Sequence, residues 1–136
     1  ISVVPHLGAG PGEPVSGFDQ QPIELWHLAE AAALAARVTK EVAWCEVVLA
    51  ARRWFEGHND GAVVMFDTES GGTFDGLTAS GPNRNQGAES TLARLAVELA
   101  WSSVTELDLL VGPGSHRAGR AGAQSGDQAP ANQSRT

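Results

Sequence analysis

Pro22-Ile23-Glu24-Leu25-Trp26-His27-Leu28-Ala29-Glu30-Ala31-Ala32-Ala33-Leu34-Ala35-Ala36-Arg37-Val38 decides the fold class. Proline suits a first helical position, where its missing N–H would be unpaired anyway. Ile23, Trp26, Ala29, Ala33 and Ala36 form one helical stripe, and Leu25, Leu28, Ala32 and Ala35 form its neighbour. The apolar arc is therefore wide, and its alanines suit a helix packed closely from several sides. The predicted helix covers 22–38.

Outward from this segment, helical periodicity continues. A second helix is predicted over 40–56, with Gly57 as its stop and Arg52 and Arg53 in its last turn, where cations favour the helix dipole. Val42, Cys45, Leu49 and Trp54 or Phe55 form its expected inward face. His58-Asn59-Asp60-Gly61 is a turn signal, and 62–66 is a candidate short extended piece. Residues 67–85 read as a long irregular loop containing Ser70-Gly71-Gly72 and Asp75-Gly76, and loops of that length tend to be functional. A third helix is predicted over 87–104, with Leu92, Leu95, Ala96 and Leu99 at helical spacing. Leu107, Leu109 and Leu110 finish the apolar material. The organisation expected is a loop or linker over 1–17, a helical segment over 18–111, and a disordered tail over 112–136 that lacks large apolar residues.

Composition narrows the function classes. The 136 residues carry a formal net charge of −7 and are 42% hydrophobic, with 16 Gly and 7 Pro. Without a basic stripe, nucleic-acid binding lacks its electrostatic footprint. No apolar run has membrane-spanning length, and no secretory signal is visible, so a cytoplasmic chain without a membrane partner is expected. The chain opens on Ile1 rather than Met, which reads as an internal cut of a longer product. Cys45 is the only cysteine and sits in a helical apolar pattern, as a buried small hydrophobe would. His6, His27, His58 and His116 lack metal-ligand spacing, so neither a metal nor another cofactor is expected.

Two helix starts echo one another. Gln21-Pro22-Ile23-Glu24 and Gln86-Gly87-Ala88-Glu89 each place Gln, a residue tolerant of a helix opening, an apolar residue and Glu in that order. If glutamine is the cap, Glu24 and Glu89 fall at the third helical position, where a carboxylate reaches back to the capping N–H. Capping alone accounts for the pattern. So does a ligand-facing cluster, because Asp19, Gln20, Asn83 and Asn85 add polar groups beyond what a cap needs. In a hairpin repeat the two starts would share one rim, with the long loop over it.

The longer segments Phe18-Asp19-Gln20-Gln21-Pro22-Ile23-Glu24 and Asn83-Arg84-Asn85-Gln86-Gly87-Ala88-Glu89-Ser90-Thr91 resemble the paired motifs of a bacterial helical domain similar to the six-hairpin glycosidases. That domain is often found C-terminal to a glycosyltransferase. Asn59-Asp60 and Gly71-Gly72-Thr73-Phe74-Asp75-Gly76-Leu77 sit where the family has similar segments, and the resemblance covers roughly 17–111. It departs at Leu25-Trp26-His27, where the family tends to have small residues.

The resemblance implies an all-α fold, a partial (α/α) toroid of helical hairpins with a Gly-rich loop and disordered termini, and sugar chemistry in the parent protein. A complete toroid needs about twelve helices and three are readable, so a fragment is expected. Its exposed flank, with Trp26, Trp44, Trp54 and Trp101 as candidates, would favour self-association or an upstream transferase domain. Glycoside hydrolysis usually needs two carboxylates, for which Glu24 and Glu89 are the natural pair, with Asp19 or Asp75 as substitutes. Asp19, Gln20, Gln21, Asp75, Asn83, Asn85 and Gln86 are the candidate sugar-binding residues, since amides and carboxylates pair with hydroxyls. Trp26, Phe74 and Phe18 are possible ring platforms. Two functions stay open: part of a carbohydrate-active enzyme, or a non-catalytic helical module that binds glycan or a protein partner.

Overall fold

The computed structural model describes residues 18–107, so the expected linker and tail lie outside the described residues. Three helices carry the fold: α1 Pro22–Thr39, α2 Val42–Phe55 and α3 Ala88–Thr105. A small antiparallel hairpin, β1 Gly76–Thr78 and β2 Gly81–Asn83, lies between α2 and α3. The chain is thus mostly helical, as the periodicity predicts. The loop over 67–85 is not wholly irregular, however, because it contains this hairpin.

Pro22 opens α1, and Lys40 closes it in the left-handed region (φ 61°), where its N–H bonds the Ala36 carbonyl at 3.0 Å. Lys40 therefore ends the first helix rather than beginning the second, which starts at Val42. The short connection makes α1 and α2 an antiparallel pair. Gly57, at φ +99°, stops α2 in a conformation costly for any side chain.

The three helices pack on one another around Leu25, Ala29, Ala32, Ala33 and Ala36 of α1, Cys45, Val48, Ala51, Trp54 and Phe55 of α2, and Val97, Ala100 and Val104 of α3. Small residues at these contacts let the helix axes approach closely. On α3 this reverses the expected inward face. Ala93, Val97, Ala100 and Val104 are buried, while Leu92, Leu95 and Leu99 are 56%, 52% and 71% exposed. Val42 also faces out, and Trp54 is fully buried rather than part of an exposed flank. Arg52 joins α2 to α3 through Glu98 (2.9 Å) and also pairs with Glu56 (3.0 Å). The bond to Glu98, followed by the two carboxylate charges, holds its guanidinium pKa above the ordinary value despite partial burial.

The loops are tied by side chains. Asn59 donates to the carbonyls of Trp54 and Val63, both at 2.7 Å, and accepts the N–H groups of Gly61 and Val63. Residues 62–66 run along the end of α2, with the Met65 N–H on the Phe55 carbonyl at 2.9 Å and Phe66 bridged to Thr73. In the hairpin, Leu77 faces Pro82 across the register, yet both Leu77 backbone groups bond Gln20 at 2.9 Å instead. Proline's missing N–H therefore costs β2 nothing, as suits an edge strand. Gln20, just before α1, completes the layer, and no described helix is long and apolar enough to cross a membrane.

Candidate functional site

The starts of α1 and α3 lie at one end of the helical layer. Gln20 precedes α1 and pairs with Leu77; two residues earlier, Asp75 holds the start of α3. The two helices therefore run roughly parallel, with their positive dipole ends toward the hairpin. The echoed sequences, though, open their helices in different registers. Gln21 caps α1, so Glu24 occupies its third position, and its carboxylate accepts the Gln21 N–H at 3.1 Å. Gly87 caps α3, which puts Glu89 at the second position, exposed and not reaching back.

The reach-back role at α3 belongs to Asp75, a loop residue twelve positions before the cap. One carboxylate oxygen accepts the Gly87 N–H at 2.8 Å and the Ser90 hydroxyl at 2.7 Å, while the other accepts the Asn85 amide. The Ser90 hydroxyl, foremost, outweighs the opposing effect of desolvation, and with Asn85 and Gly87 it holds the Asp75 carboxyl below the usual aspartate value. Asp75 is thus an anchor with its acceptors largely used. Asp67 is a parallel case: the Glu69 N–H, then the Ser70 hydroxyl, lower its carboxyl.

Gln20 is fully buried. Its Oε1 accepts the Trp54 indole N–H at 2.6 Å, and its Nε2 donates to Asp60. Both amide groups are engaged by the protein, so Gln20 secures the rim and does not present it to a ligand. Asn83 accepts the Asn85 N–H at 3.1 Å, and its backbone carbonyl accepts from Asp75.

Five of the candidate sugar-binding residues nevertheless converge. Asp19, Gln20, Gln21, Asp75 and Asn83, with Gly76, Leu77 and Thr78, line one open hollow of ≈ 250 Å³ beside the start of α1. Gln21 and Asn83 are exposed there. Asn85 stands beside this group through Asp75. Gln86 belongs to a second hollow of ≈ 450 Å³ with Phe66, Asp67, Thr68, Phe74 and Arg84. In that hollow Gln86 accepts the Ser70 hydroxyl at 3.0 Å, and the Arg84 guanidinium sits 5.7 Å from the centre of the Phe74 ring.

Sequence reasoning missed Phe66, Asp67 and Arg84. A signal existed for Arg84, which lies inside the quoted polar motif. Phe66 gave none, because its stacking with Arg94 (3.8 Å) joins distant segments.

Neither carboxylate with a resolved shift suits a general acid, which requires a raised pKa. No hydrogen bond joins Glu24 to Glu89 among the described residues. The described residues also hold no cluster of three or more His, Cys, Asp or Glu able to take a metal. In comparison with known proteins, the sequence matches no family model and no curated protein.

Proposed function

We propose that this chain is a carbohydrate-associated helical segment acting as a non-catalytic module, which binds the hydroxyls of a sugar or glycan at the rim formed by the α1 start and the β-hairpin. The observation that carries this reading is the convergence of Asp19, Gln21 and Asn83 on one hollow, beside the anchoring Asp75, from segments far apart in sequence. The exposed amides of Gln21 and Asn83 supply the donors and acceptors that hydroxyl recognition uses. The likeness of 18–24 and 83–91 to paired motifs of a glycosidase-like domain supplies the ligand class, and with it an upstream transferase domain as a partner. An open, shallow rim favours weak, reversible recognition over enclosed chemistry, because it excludes little water.

The module reading is favoured over the enzyme because the carboxylates at this end serve the fold: Glu24 closes the α1 start and Asp75 the α3 start. A glycan array probed with the full chain tests the proposal. Selective binding, lost in Asn83→Ala and without product release, supports it. Glycoside turnover that disappears in Glu24→Gln or Glu89→Gln would instead establish the enzyme.

A further inference from the structure

The hollow at the loop end leaves the opposite features of the helical layer unused. Along their length, α1 and α3 enclose a groove of ≈ 430 Å³ whose lining includes Trp26, Glu30, Leu34, Arg37, Leu99 and Ser103. Leu34 is 62% exposed and Leu99 71%, although the alanines beside them are buried. Val38 on α1 and Leu92 and Leu95 on α3 are exposed large apolar side chains as well. Large apolar side chains left exposed along two packed helices mark an interaction surface.

We propose that this groove is the two-fold interface of a homodimer, in which a second copy lays its own α1 and α3 antiparallel across the first. The charge pattern selects that occupant. Glu30 and Arg37 both line the groove, two helical turns or roughly 10 Å apart, with Leu34 between them. Neither side chain has an ion pair or hydrogen bond among the described residues.

An antiparallel copy, turned about an axis midway between them, sets Glu30 against Arg37 of the partner subunit and Arg37 against Glu30 of the partner subunit. The same operation sets Leu34 against Ala33 of the partner subunit, a large side chain over a small one. One surface thus satisfies itself twice, which is the property an isologous contact requires. A chain of net charge −7 resists general self-association. Pairing opposite charges at this groove removes that obstacle locally.

Sedimentation analysis of the full chain tests the proposal. A concentration-dependent monomer–dimer equilibrium is expected, abolished by Leu34→Glu. Glu30→Arg alone and Arg37→Glu alone each replace two attractive pairs per dimer with two repulsive ones, so each weakens dimerisation roughly tenfold or more. The double variant Glu30→Arg/Arg37→Glu re-forms both pairs and returns the dissociation constant to within about threefold of the original. All three positions are exposed to solvent, so the variants keep the buried core. A full-length chain that stays monomeric at every concentration overturns the proposal and assigns the face to another occupant. A dimer indifferent to the single reversals, or not rescued by the double, overturns it equally.

Discussion

The Trp54 indole N–H donates to the Gln20 side-chain oxygen at 2.6 Å inside the core, joining the end of α2 to the entry of α1. Both residues are fully buried. Burying the Trp54 ring stabilises the fold by roughly 4–6 kcal/mol on a transfer basis, and its N–H must have a partner to keep that gain. Gln20→Ala strips the partner from the indole, removes the amide from Asp60 and leaves a cavity. It should destabilise the chain by about 3 kcal/mol or more in urea unfolding. Gln21→Ala, one residue away and exposed, should cost under about 1 kcal/mol.

The lowered Asp75 carboxyl makes stability pH-dependent. Its charged form is favoured in the fold, so its contribution is present above the unfolded aspartate value of about 3.9. That contribution is lost as pH falls through the still lower folded value. Asp75→Ala should remove about 1–2 kcal/mol at neutral pH. Thermal unfolding should then show a smaller gap between wild type and variant at pH 2.5 than at pH 7. Gly87→Ala is expected to mimic part of the loss, because an added Cβ would stand 2.6 Å from the Asp75 carboxylate oxygen.

The two echoed glutamates should behave differently. Glu24 accepts the Gln21 N–H, whereas Glu89 sits exposed one position nearer its helix start. Glu24→Ala is expected to cost about 0.5–1 kcal/mol and Glu89→Ala a few tenths at most. Equal costs in chemical denaturation would argue that both starts are closed in the same way.

Much of the helical layer was legible in local chemistry. Pro22 marked the first helix start, and Gly57 marked the second helix end, because each residue has a backbone constraint readable without its surroundings. The inward face of α3 was not legible. Leu92, Leu95 and Leu99 outrank Ala93 and Ala100 in hydrophobicity, but the alanine-rich α1 admits only small residues at close approach. The hairpin was hidden for a different reason. Gly76-Leu77-Thr78 and Gly81-Pro82-Asn83 show no apolar alternation, and the outer groups of Leu77 are taken by Gln20 from a distant segment. Similarly, the polar motifs lie at one end of the layer, while the division between anchors such as Gln20 and Asp75 and exposed groups such as Gln21 and Asn83 is set by tertiary contacts.

Recognition without catalysis at the rim of the hairpin can be read by backbone-amide NMR of the full chain titrated with the oligosaccharides that score on the array. Saturable shifts clustered at Gln21, Thr78 and Asn83, weak shifts along α2, and unchanged sugar signals through prolonged incubation are expected. Shifts confined to regions away from that hollow, or the steady appearance of cleaved sugar, would contradict it.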